Sequence, residues 1–152
     1  MLEVNSYLKV EEKYIPIQEF TDEIFDSDYI EGAIEIIINN NILLSVDESD
    51  YIDQLWSYIL DGLIAVDAWT SFSTYFPDSA VNLAFEPDRA AQTVKIVVNS
   101  YTEVSSVIPY EEFMQAMVNA ATVFFRKLGE VCKDLSEFSD EKLRSLPKLI
   151  NQ

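Results

Sequence analysis

The chain has 152 residues, of which 49% are apolar, and it carries a formal net charge of −17. That length corresponds to about one domain, and the apolar fraction supplies one sizeable core, which excludes a disordered chain. No apolar run approaches the ~18 residues of a membrane span. Residues 1–10 lack the basic start and apolar stretch of a secretory signal. A single cysteine, Cys132, excludes an internal disulfide and agrees with a reducing compartment, so a cytoplasmic location is expected.

The charge is unevenly placed. Residues 1–88 carry 19 acidic side chains against Lys9 and Lys13, whereas residues 89–152 carry eight of each sign. A surface of one sign repels phosphate backbones and anionic membranes and attracts cations. A basic protein partner is therefore expected, with no direct contact to nucleic acid and none to a membrane. Plain solubility is the competing explanation of the same charge.

Residues 7–17 have mild strand character, and Pro16 marks an edge or a strand end. Residues 19–31 hold the carboxylates Glu19, Asp22, Glu23, Asp26, Asp28 and Glu31, while Phe20, Ile24 and Phe25 have the spacing of a short amphipathic turn. Ile34, Ile36 and Ile38 alternate as one face of a strand. Asn39, Asn40 and Asn41 tolerate positive φ and suit a hairpin turn, with residues 42–46 returning; a single long strand is the alternative.

A helix is predicted over residues 50–66. Ser45, Asp47 and Ser49 are candidate caps, and Asp50 and Asp53 favour its first turn through the helix dipole. Ile52, Leu55, Trp56, Ile59, Leu63 and Val66 fall on one stripe, and Asp53, Gln54, Ser57 and Asp61 fall opposite. Trp56 reads as a core anchor. Residues 67–79 read as a polar and aromatic connection. Val81, Leu83 and Phe85 then alternate as a strand, residues 86–88 (Glu-Pro-Asp) read as a turn, and Val94, Ile96 and Val98 form a second hairpin arm that extends as far as Glu103 on the longest reading.

A second helix is predicted over 109–131, with Pro109 in its first turn and Glu111 and Glu112 beside it. Gly129 is a natural end, although the pattern runs on to Cys132, which reads as a buried small hydrophobe. Met114, Val118 and Phe125 widen the apolar arc to about half the circumference. Either the C-terminal segment, with Leu135, Phe138, Leu143, Leu146 and Ile150, folds back over that arc, or a partner covers it. The order of elements implies an α+β two-layer sandwich: an antiparallel sheet of two hairpins, plus an N-terminal strand, with the helices at 50–66 and 109–131 on one face.

Residue counts exclude much chemistry. Without histidine there is no Ser-His-Asp or Cys-His arrangement, no HExxH zinc site and no imidazole base. One cysteine and no histidine leave no structural zinc site. Three glycines (Gly32, Gly62 and Gly129) cannot form a phosphate-binding loop. Residues 26–32 resemble a calcium loop only faintly, because Ile30 and Glu31 occupy its fifth-ligand and glycine positions. Asp47, Glu48, Asp50 and Asp53 have the chemistry of divalent-ion ligands, but helix capping is the simpler account of them. No cofactor, metal or catalytic residue is expected, and the chain is not expected to be an enzyme.

Residues 34–45 (IEIIINNNILLS), 50–60 (DYIDQLWSYIL), 74–85 (TYFPDSAVNLAF), 93–99 (TVKIVVN) and 109–128 (PYEEFMQAMVNAATVFFRKL) resemble small bacterial immunity or immunity-like proteins of polymorphic toxin systems. The matching features are the Leu55-Trp56-x-Tyr58 helix, the Tyr75–Asp78 lead-in to the second hairpin, and Ala121, Phe124, Phe125 and Leu128 in the last helix. The resemblance implies stoichiometric occlusion of a toxin, with a contact surface that differs for each cognate toxin, so it transfers no functional residues. The expected contact surface comes from charge alone: Glu19, Asp22, Glu23, Asp26, Asp28, Glu31, Asp47, Glu48, Asp50 and Asp53. The alternative function is a structural or adaptor module that forms a homodimer through Met114, Val118 and Phe125 on the 109–131 helix.

Overall fold

The computed structural model describes residues 1–150, which fold into the expected α+β arrangement with antiparallel strands. The strands divide between two sheets. The first holds β1 (Leu2–Val10), β2 (Lys13–Pro16), β3 (Glu31–Ile38) and β4 (Asn41–Leu44) in the order β2-β1-β3-β4, with the short β5 (Asp50–Tyr51) also paired to β3. After β5 comes α1 (Ile52–Asp67). The second sheet is a meander of β6 (Phe72–Tyr75), β7 (Asn82–Asp88), β8 (Thr93–Asn99) and β9 (Glu103–Pro109). Then follow α2 (Tyr110–Val131) and α3 (Ser136–Ser145).

The asparagine run works as its chemistry suggests. Asn39 and Asn40 have φ of 50° and 70°, the pair of positive values that a two-residue hairpin turn requires, while Asn41 pairs with Ile38 in the ladder. Three strands differ from the sequence reading. β1 begins at Leu2 and turns at Glu11, which has a φ of 58°. β6 lies within the stretch read as a connection, with Phe72 opposite Phe85. β9 follows a turn at 100–102 and pairs with β8 from Asn99↔Glu103 to Thr93↔Pro109.

The expected turn at 86–88 is corrected as well, because Pro87 lies in β7 opposite Val94. β6 ends opposite Phe85, so β7 has a neighbour on one side only at Pro87, where a proline is tolerated. The chain turns three residues later. Asp88 accepts a hydrogen bond from the Ala91 amide at 3.1 Å, and Gln92 takes a φ of 57°. Residues 19–31 form no amphipathic helical turn beyond a single 3-10 turn at Ile17–Glu19. Phe20 is buried, whereas Phe25 is 83% exposed.

One core joins both sheets to the helices. Trp56 is fully buried, donates its Nε1–H to Ser6 Oγ at 2.9 Å, and stacks on Phe124 with ring centroids 6.2 Å apart. Phe85 meets Phe113 edge-on at 5.0 Å, tying the second sheet to α2. The C-terminal segment covers the wide apolar arc of α2: Phe138 packs edge-on against Phe125 at 5.9 Å, and Leu146 and Leu149 are buried. Met114, Val118 and Phe125 are 2%, 2% and 0% exposed, so the side chains expected at a dimer contact are enclosed within one copy.

Candidate protein-binding surface

The ten carboxylates singled out by charge fall into three groups. Glu19, Asp22, Glu23, Asp26 and Asp28 are exposed on the irregular segment between β2 and β3. That segment is fixed at its middle by the Ile24 amide, which donates to the Val131 carbonyl at 2.8 Å, and by burial of Phe20. Asp26 folds the tip locally by accepting from the Asp28 amide at 3.1 Å. Lys127 donates to the Phe20 carbonyl at 3.1 Å, and Lys133 borders a shallow depression together with Glu23 and Phe25.

Glu31, Asp47 and Glu48 form the second group, on the surface around β5. Glu31, Ser49, Tyr51 and Asp78 border a depression of about 170 Å³, and the Tyr29 ring lies 5.9 Å from that of Tyr51. Desolvation, reinforced by Asp78 and Glu31, holds the Tyr51 hydroxyl above its ordinary pKa. Asp47, Glu48 and Ser49 also border a larger depression of about 590 Å³ that ends at Tyr101. Glu48 completes a capping box: its Oε2 accepts from the Ser45 amide at 3.0 Å and the Ser45 hydroxyl at 2.9 Å. One oxygen of Glu48 is therefore structural.

The third group corrects the sequence reading. Asp50 and Asp53 are each only 8% exposed, Asp50 in the lining of the depression bordered by Glu31, Tyr51 and Asp78, so neither is part of the open acidic surface. Asp50 accepts from the Asp78 amide with both oxygens, at 3.0 and 3.2 Å, and from the Tyr51 amide at 2.7 Å, so it ties the Pro77–Asp78 turn to the start of α1. Asp53 was expected on the polar face of α1. Its Oδ1 is instead buried with no hydrogen-bond partner, and desolvation raises the carboxyl pKa against the lowering effect of the amides of Gln54 and Asp53 itself. The cause is tertiary: buried Cys132, the residue after α2, lies near enough for the Asp53 charge to help raise its thiol pKa, behind desolvation and the Asp134 charge.

Among the described residues, Glu31 alone of the ten pairs with a side-chain cation, Lys9 at 3.9 Å. Large apolar side chains stand exposed among the anions: Phe25 at 83%, Tyr29 at 65% and Tyr101 fully. The charge reading missed these aromatics and Asp78. Their only sequence signal is that Tyr29 is an aromatic residue inside an acidic, turn-rich segment where no core periodicity asks for it; Phe25 is hidden by its apparent amphipathic spacing with Phe20 and Ile24. Among the described residues no group of three or more Cys, Asp or Glu is disposed to hold a metal ion. No protein-family model matches the chain, no curated protein matches it, and no solved structure matches it.

Proposed function

We propose that the chain is a non-catalytic, acidic protein-binding module, an inhibitor of immunity or antitoxin type that masks a cationic partner such as a nuclease toxin domain. One observation carries the reading. The exposed carboxylates from Glu19 to Asp28, with Glu31 and Asp47, share the surface with solvent-facing Phe25 and Tyr29, and among the described residues only Glu31 of them has a side-chain cation within ion-pair distance. Unneutralised anions steer a basic surface at long range, and exposed aromatics supply contact area once it docks. Such a protein needs no proton shuttle or phosphate cradle, in keeping with the absence of histidine and of glycine-rich loops.

The test is the quadruple charge reversal D22K/E23K/D26K/D28K, assayed against the basic protein that co-purifies from the native host. All four side chains are exposed, so the fold is expected to survive. Association at low salt should slow by about tenfold or more, from a steered limit of up to ~10⁸–10⁹ M⁻¹s⁻¹. An unchanged association rate would remove this surface from the reading.

A further inference from the structure

A groove of about 680 Å³ runs between β1 and α2. One wall is strand backbone, since every residue from Leu2 to Ser6 borders it. The reason is that β2 pairs only with Tyr7–Val10. The first half of β1 has β3 on one side and, among the described residues, no strand on the other. The facing wall is a stripe of α2 that includes Glu112, Ala116, Ala120 and Val123.

The ladder decides which backbone groups point into the open side. The Asn39 amide donates to the Met1 carbonyl at 3.0 Å, and the register runs on without a break from Leu2↔Ile38 to Leu8↔Gly32. Opposed residues in an antiparallel pair alternate between exchanging both hydrogen bonds and exchanging none. Glu3 and Asn5 therefore bond to β3, while Leu2 and Val4 turn their N–H and C=O groups away from it. The same phase explains why Pro16 is accommodated opposite Tyr7, a position where β2 needs no N–H.

The side-chain charges that line the groove have one sign. Glu3, Glu35 and Glu112 border it, and no lysine or arginine does. Glu35 is held in place by Asn5 Nδ2 at 3.0 Å and the Tyr7 hydroxyl at 3.3 Å. Glu112 lies 4.0 Å from the Met1 ammonium. Unpaired strand edges recruit further strands unless they are short, covered or charged against it.

We propose that this groove accepts an extended basic segment of the partner protein as an additional strand on the open edge of β1. Its arginine or lysine side chains would reach Glu3, Glu35 and Glu112, and its small apolar side chains would lie on Ala116 and Ala120. The inference rests on the reading of the chain as a binder of a cationic protein, and it adds where the partner's backbone docks. A second copy of this chain is the poorer occupant, because pairing two β1 edges would bring both sets of three glutamates together.

The experiment is a backbone-amide NMR titration of the full chain with a decapeptide of alternating arginine and threonine. The expected result is shifts concentrated at residues 2–6 and 112–123, with new hydrogen-exchange protection of the Leu2 and Val4 amides. Val4→Pro removes one outward N–H without changing charge, and proline is tolerated on strand edges. It should weaken the peptide by about fivefold, the value of one ladder hydrogen bond. Should that variant unfold, Ala120→Arg places a cation in the facing wall and should abolish the shifts. D22K/E23K/D26K/D28K should leave the groove shifts in place. Shifts confined to 19–31, or shifts insensitive to both groove variants, would overturn the groove while leaving the cationic-partner reading intact. Protection of Leu2 and Val4 that grows with protein concentration in the absence of peptide would assign the edge to a second copy and overturn it too. No binding anywhere would sink both readings.

Discussion

Asp50 and Asp53 stand three positions apart at the start of α1, both buried, and their surroundings set opposite consequences for stability. Asp50 satisfies the Asp78 and Tyr51 amides, so Asp50→Ala leaves two donors without an acceptor. Hydrogen bonds to a charged group are each worth about 1.5–3 kcal/mol, and the substitution should lower the unfolding free energy by about 2–4 kcal/mol in urea titration. Asp53 keeps a buried oxygen unpaired and a raised carboxyl pKa. An acid whose folded pKa lies above its unfolded value binds its proton more tightly in the native state. Stability is therefore lost as pH rises from the ordinary carboxylate range through the folded value, and the penalty stays constant above it. The helix dipole favours a charged Asp53 by only about 0.3–1 kcal/mol, whereas desolvation is the larger effect here. Asp53→Asn should accordingly raise the Tm at neutral pH and lose that advantage in acid, where wild-type Asp53 is also protonated. Helical periodicity located Asp53 correctly on the circumference of α1. It had no means of knowing that the fold buries that flank, with Cys132, 79 positions further on, brought near it.

At the level of elements, what could be read in the sequence was whatever local pattern determines. The α1 and α2 stripes and the Asn39-Asn40 turn are set by spacing and by permitted φ. β6 and β9 were not legible, because FSTY and EVSSVIP have no clean alternation and exist as strands only by pairing with β7 and β8. The division of the strands into two sheets was equally beyond local pattern. The packing of β6 on α1 is testable at Gly62. A Cβ there would meet the Phe72 ring at 2.6 Å and the Phe85 ring at 3.0 Å. Alanine is the better helix former by about 0.8–1 kcal/mol, but overpacking two stacked rings costs about 1–3 kcal/mol. Gly62→Ala should thus destabilise the chain, and a rise in Tm would show that β6 gives way more easily than its ring packing implies.

For the whole molecule, the structure changes which carboxylates the charge argument can call on. Composition located the imbalance in residues 1–88, and the exposed loop from Glu19 to Asp28 carries part of it as foreseen. Two of the ten named carboxylates turned inward. Three carboxylates outside the ten, Glu3, Glu35 and Glu112, border the groove along β1, which sequence alone gave no reason to group, because the missing neighbour strand is a property of topology. The broad apolar arc of α2 needs no partner, since α3 and the residues after it enclose it. What is available for binding includes an anionic exterior with a few exposed aromatics and, among the strand edges, the acidic one along the first half of β1.

The central claim is that long-range attraction to a cationic protein drives recognition, and the salt dependence of the association rate tests it most directly. The rate constant for the co-purifying partner should be compared at about 10 mM and about 1 M ionic strength, where the Debye length falls from ~30 Å to ~3 Å. The account predicts a basic partner and a fall of at least about tenfold across that range, largely erased by D22K/E23K/D26K/D28K. A neutral or acidic partner that associates equally fast at both salt concentrations would contradict it.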